Sequence, residues 1–197
     1  MPEPVALLLA AGASRRFGDD KLLYPLADRL PVALQAYENL KAAVSSVVAV
    51  VKAEGSLSGL LRARGCEVLV FAEAERGMGA SIAFGVENTR NGVGWIIALA
   101  DMPFIRPETH AAVTRALMQD APLVAPFYRG QRGHPVGFGA QFAEDLCVLQ
   151  GDRGAKSILM QHRQLLRRIE CEDAGILIDI DTAEDLCAET CSTASTN

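Results

Sequence analysis

The sequence predicts a three-layer α/β domain, on three observations: apolar runs of strand length alternate with stretches of helical periodicity, those runs are nearly continuous, and the first empties into a glycine-containing, charged turn. Successive side chains of a strand point to opposite faces, so an unbroken apolar run buries both faces. A largely parallel sheet with helices on each side follows. Half of the 197 residues are apolar and 22% are charged, which suits one compact core that needs no disulfides or metal clips.

Strands are expected at Val5 to Ala10, Val47 to Val51, Val68 to Phe71, Trp95 to Ala100 and Leu123 to Ala125. Between them, Pro31 opens a helix with Ala33, Tyr37, Leu40 and Val44 on one face. Further helices fit Leu57 to Arg64, Ser81 to Asn88 and a segment from Pro107 carrying Ala111, Val113, Leu117 and Met118. The rhythm breaks at "YRGQRGHPVGFG", whose glycines and proline read as a hairpin or a long loop. Helices then fit Phe142 to Leu149 and Lys156 to Gln161, and short strands fit Leu165 to Ile169 and Ile176 to Ile180. Thr182, followed by acids, suits the N-cap of a last helix. Residues 1–186 are expected to form one domain, and residues 187–197 a polar tail.

Charge and cysteine usage exclude several classes. With 24 acids against 19 bases the net charge is −5, and no segment concentrates Lys and Arg, so nucleic acid is not an expected partner. Cys66, Cys147, Cys171, Cys187 and Cys191 are odd in number and contain no C-x-x-C pair, which argues against a disulfide framework or zinc knuckle. The N-terminus has no basic-then-apolar leader, and no apolar run exceeds a buried strand, so a cytoplasmic protein without membrane partners is expected.

In an open parallel sheet, ligands bind beyond the carboxyl ends of the strands, where "LLLAAGASRRFGDDK" places glycines and charge. Gly12 and Gly18 allow close backbone approach, and Arg15, Arg16 and Lys21 supply positive charge, a combination that suits a polyphosphate. The same residues also suit an ordinary strand-to-helix turn with solvated charges. Neither a Walker loop nor a G-x-G-x-x-G fingerprint is present here.

"IIALADMPF" delivers Asp101 to the same edge, where one carboxylate beside a phosphate loop suffices to hold Mg²⁺, or merely caps the next helix. In "LIDIDTAED", Asp179 and Asp181 would share a face of an extended segment, and either could complete a metal site. Gly77, Gly79 and Ser81 of "RGMGASIAFG" could bring backbone against a base or sugar. His134, between Gly133 and Pro135, suits a structural hydrogen-bonder as well as a ligand contact. "GDRGAK" offers Asp152, Gly154 and Lys156 to an anionic acceptor, or forms a solvated loop.

Together these stretches resemble, up to about Leu186, the nucleotidyltransferases that complete the molybdenum cofactor. The family opening L-A-A-G-x-S-x-R-x-G-x-x-K appears as Leu9, Ala10, Ala11, Gly12, Ser14, Arg16, Gly18 and Lys21, and "GMGASI", "LADMPF", "RGHPVGF", "GDRGAK" and "DIDTAEDL" follow in the family's order. The resemblance implies a Rossmann-like nucleotidyltransferase fold of the nucleotide-diphospho-sugar transferase type, with Mg²⁺ on Asp101 aided by Asp179 or Asp181. It implies nucleotide binding by Leu9 to Gly12, Gly77, Gly79 and Ser81, with Arg16, Lys21 and Asp101 as the catalytic set. Transfer of a nucleoside monophosphate to the phosphate of molybdopterin, with release of pyrophosphate and a molybdoenzyme as eventual client, is the implied activity. His134, Asp152, Gly154 and Lys156 are the implied acceptor contacts. Ala-Ala-Gly stands where the guanylyl branch carries Ala-Gly-Gly, which favours CTP over GTP. Phe17 replaces the usual methionine, and Lys156 replaces an arginine, losing the bidentate fork.

Overall fold

The computed structural model describes residues 3–12, 21–26, 30–90, 93–152 and 154–181. Eight strands form one sheet: β1 (Val5–Ala10), β2 (Ser46–Val51), β3 (Glu67–Val70), β4 (Gly94–Leu99), β5 (Leu123–Tyr128), β6 (Gln131–Arg132), β7 (Val136–Gly139) and β8 (Leu166–Glu170). The order is β3-β2-β1-β4-β7-β5-β6, with β8 also paired to β5. The β1–β2, β2–β3, β1–β4 and β5–β8 pairs are parallel, as expected; β7 runs antiparallel between β4 and β5.

Two helical layers cover the sheet: α1 (Val32–Lys41), α2 (Ser56–Ala63) and α4 (Pro107–Met118) on one face, α3 (Met78–Glu87), α5 (Ala143–Cys147) and α6 (Lys156–Gln161) on the other. Strand β1 shows why its run is unbroken. Ala6, Leu8 and Ala10 enter the core under α1, while Leu7 and Leu9 enter the core under α3. Among the described residues no helix is long and apolar enough to cross a membrane.

"YRGQRGHPVGFG" resolves as a hairpin. Arg129 and Gly130 both have positive φ, 50° and 79°, as a two-residue turn matched to strand twist requires. The returning arm is split into β6 and β7: Phe127 faces Arg132 and Val124 faces Gly137, so two residues of β5 oppose four on the return. His134 lies in this bulge, its N–H donating to the Ile176 carbonyl at 3.0 Å.

The strand expected at Ile176 to Ile180 does not form. Ala174–Leu177 is a 3₁₀ turn, and the alternating apolar residues that suggested a strand instead plug a small core, Ile176 packing with Met102 and Ile105. Asp173 anchors this segment. Its buried carboxylate accepts from the Arg106 N–H at 2.9 Å, the Thr109 hydroxyl at 2.6 Å and the Gly175 N–H at 3.1 Å, which ties it to the start of α4. The helix expected from Thr182 and the polar tail lie outside the described residues.

Candidate active site

At the carboxyl edge of β1 and β4 the structure opens a cleft of about 350 Å³, within the usual range for small-molecule sites. Leu9, Ala11 and Gly12 form the wall at the end of β1, Leu99 and Asp101 the wall at the end of β4, and Gly77, Met78 and Ser81 the wall from the start of α3. Ala10 points into the opposite core, away from the cleft. The arrangement follows from the parallel pairing of β1 with β4, which brings two strand ends and their loops to one edge.

Charge meets at Lys21. The residue opens a 3₁₀ turn (Lys21–Leu23) held down by buried Leu22, and its ammonium donates to Asp101 Oδ2 at 2.9 Å and Asp181 Oδ1 at 3.1 Å. Its side chain is 13% exposed, against 25% for Asp101 and 49% for Asp181. Burial pulls the Lys21 pKa down, but the bonds and charges of the two aspartates outweigh it and leave the pKa raised. Backbone geometry sets the second carboxylate in place: the Ile180 N–H donates to the Asp101 carbonyl at 2.8 Å, so the next residue, Asp181, lies beside Asp101. Asp179 is exposed and no contact joins it to this cluster.

Two carboxylates converging on one ammonium make a hard oxygen donor set that suits a divalent cation. Among the described residues there is no cluster of three or more His, Cys, Asp or Glu. A divalent cation held by one or two carboxylates completes its shell with substrate phosphates and water.

The glycines of "RGMGAS" also make a close backbone contact with the loop before α6, while Gly77 and Ser81 line the cleft. Gly77 has φ 104°, and a Cβ there would lie 2.6 Å from the Gly151 carbonyl oxygen and 2.7 Å from Asp152 Oδ1. A Cβ on Gly79 would lie 2.9 Å from the Gln150 backbone. The Gly79 N–H donates to the Gly151 carbonyl at 2.8 Å, and the Gly151 N–H to the Arg76 carbonyl at 3.1 Å. The entrance of α3 is thus laced to the loop before α6, and this brings Asp152 into the cleft wall. Helix α3 begins three residues earlier than Ser81, so Ser81 lies within its first turns.

The other expected acceptor residues stand apart. Gly154, at φ 51°, packs against Met78, and Lys156 opens α6 outside the cleft. His134 does not line the cleft; burial, aided by Arg132, lowers its pKa against the opposing pull of Asp101, so the ring is neutral near pH 7. Arg15, Arg16 and Gly18 lie outside the described residues. Sequence reasoning missed Leu22, Ala74, Glu75, Met78 and Leu99 as cleft residues, of which Met78, between two glycines at a helix start, had a visible signal.

Residues 6–165 match the sequence model of the MobA-like NTP transferase domain. The chain belongs to that family. Among curated relatives, this NTP transferase is 29% identical to the purine catabolism protein PucB of Bacillus subtilis, covering 93% of this chain and 94% of PucB. It is 28% identical to the nicotine blue oxidoreductase of Paenarthrobacter nicotinovorans, over 94% of this chain and 96% of that one. Rv0371c of Mycobacterium tuberculosis superposes with a TM-score of 0.81 at 24% identity, covering 95% and 96% of the two chains; that protein has also been solved with manganese. A CMP:2-keto-3-deoxy-manno-octonic acid synthetase solved with CTP superposes with a TM-score of 0.74 at 14% identity, over 95% and 96%. At such identities the solved structures establish the fold: a Rossmann-like α/β domain with a mostly parallel sheet.

Proposed function

We propose that this NTP transferase moves CMP from CTP to the phosphate of molybdopterin or its molybdenum form and releases pyrophosphate. The observation that carries the reading is the Lys21 ammonium held between Asp101 and Asp181 in a cleft walled by the end of β1. Base and ribose lie along Leu9 to Gly12 and the start of α3. Lys21, with Arg16, holds the β- and γ-phosphates. Mg²⁺ would be held by Asp101 and Asp181, with Asp179 outside the set, and when bound supplies charge neutralisation of the triphosphate.

The chain's own residues position and neutralise. An oxygen of the acceptor phosphate forms a bond to the α-phosphorus while the bond from that phosphorus to the α–β bridging oxygen breaks, and the electron pair leaves with pyrophosphate. The nucleophile is already ionised at pH 7, so no general base is required, and orientation with fixed positive charge supplies the rate. The acceptor approaches along Asp152, Gly154 and Lys156, with His134 as a further contact.

Pyrophosphate release with Mg²⁺ and molybdopterin, comparing CTP, GTP, ATP and UTP, tests the reading. Release with CTP that disappears in Asp101→Ala supports it. Preference for GTP would replace the nucleotide, and release only with another phosphorylated acceptor would replace the acceptor. Tight pterin binding without release would identify a carrier.

A further inference from the structure

A second pocket of about 280 Å³ lies beside α6, and every charge lining it is positive: Arg132, Lys156 and Arg163 stand over Leu159, Met160 and Leu166. In a chain of net charge −5 this is a local reversal. Several other arginines are neutralised, as Arg62 is by Glu54, Arg64 by Glu38, Arg90 by Glu144 and Arg168 by Glu170. Among the described residues none of the three pocket cations has an ion-pair partner.

The fold forces this gathering. Arg132 sits directly opposite Phe127 across the β5–β6 hairpin, so its side chain emerges on the face of the sheet covered by α6. Lys156 begins α6 and Arg163 follows its end, so the helix presents a cation from each terminus to the same hollow. The wall desolvates the Arg132 guanidinium enough to lower its pKa, and a partly desolvated cation gains more from an anion than a solvated one does. Met160, 69% exposed, supplies an apolar rim.

One stretch of chain links the pocket to the cleft. The loop that leads into Lys156 contributes Asp152 to the cleft wall and packs Gly154 on Met78, another wall residue.

We propose that this pocket is the subsite for a second anionic group of the acceptor, separate from the phosphate that attacks the nucleotide. The arginine forks suit a carboxylate, a phosphate or another oxyanion, and Leu159 and Leu166 suit an apolar or ring-shaped body between the two anionic ends. This rests on the reading of the cleft as a nucleotidyl-transfer site. It makes the acceptor a molecule anionic at two places, which a simple alkyl or polyol monophosphate is not.

Two measurements on the full chain test it. In the first, inorganic phosphate is titrated while the arginine Nε–H resonances are followed by NMR, with Arg132 and Arg163 assigned from Arg132→Gln and Arg163→Gln. The expectation is that both resonances move with one dissociation constant, and that the double variant weakens binding at least tenfold while CTP affinity stays within twofold. Phosphate that moves neither resonance overturns the pocket. In the second, the acceptor KM for pyrophosphate release from CTP and molybdopterin is measured; a rise of at least tenfold in Arg132→Gln, partly recovered in Arg132→Lys, supports the acceptor assignment. An unchanged acceptor KM with phosphate still bound at the arginines assigns the pocket to a free anion and overturns the acceptor role. Absence of turnover in the wild-type chain discards the proposed reaction, and the phosphate titration then decides the pocket alone.

Discussion

The Lys21 ammonium lies 2.9 Å from Asp101 Oδ2, joining the turn after the first strand to the end of the fourth across 80 positions of the chain. Both residues line the cleft. A cation bound at Asp101 Oδ2 would compete with the ammonium for that oxygen.

Replacing Lys21 by Ala is therefore expected to lower kcat about 10²-fold, the usual loss when one preorganised electrostatic donor is removed. Asp101→Asn should lower it at least as far and remove the response to added divalent cation. Steady-state pyrophosphate release at several Mg²⁺ concentrations checks both, and a Lys21→Ala enzyme with wild-type kcat would remove the lysine from the mechanism.

The same pair makes stability depend on alkaline pH. The folded-state pKa of Lys21 is raised above 10.5, so its contribution is fully present below that value and is lost as pH rises through the higher folded value. Urea denaturation of wild type against Asp101→Asn should show a stability gap that is constant from neutral pH to about pH 10 and narrows beyond it.

His110 gives a slope of opposite origin on the acid side. It is 3% exposed on α4, its Nδ1 has no hydrogen-bond partner, and burial pushes its pKa down to about 4 although Asp173 pulls the other way. Between pH 6.5 and 4 the unfolded chain takes up a proton that the folded chain refuses, so stability falls with pH, by at most about 3 kcal/mol. His110→Leu should flatten that slope, and an unchanged slope would place its source at another group.

Asp173→Ala removes the acceptor of two backbone N–H groups and one hydroxyl, two of these donors at the start of α4 and the third in the 3₁₀ turn after Asp173. A cost of about 2 to 3 kcal/mol is expected, from a lost cap plus donors left without a partner. Since Asp173 also anchors the segment that leads to Asp181, the metal dependence of activity should weaken. Calorimetric melting and a Mg²⁺ titration of rate test the two effects separately.

Gly77→Ala meets two penalties together, a φ of 104° and the backbone of Gly151 where the methyl group would stand. It should destabilise the protein by about 1 to 3 kcal/mol and raise the nucleotide KM, because the loop carrying Asp152 must retreat. Gly12→Ala is the control: a Cβ there meets nothing within 4 Å, so any effect it has on KM reflects the ligand and not the fold.

The local chemistry of this chain was legible without the fold. Unbroken apolar runs specified strands buried on both faces, Pro107 and Lys156 opened helices where they were expected, and the placement of Lys21 and Asp101 after apolar runs put them at one sheet edge. These features depend on residues near one another in sequence, where periodicity and turn chemistry act directly. Long-range pairing was not legible in the same way. "VGFG" carries a turn-like pair of glycines, yet it becomes a fully buried antiparallel strand paired to both β4 and β5, where a Cβ at Gly137 would press on Leu117 and Val113. The choice of Asp181 over Asp179 beside Lys21 depends on one hydrogen bond from Ile180 to Asp101, and the convergence of Arg132, Lys156 and Arg163 depends on a hairpin register and a helix orientation. Residue types set which chemistry is possible; burial and pairing between distant segments decided which of those residues meet.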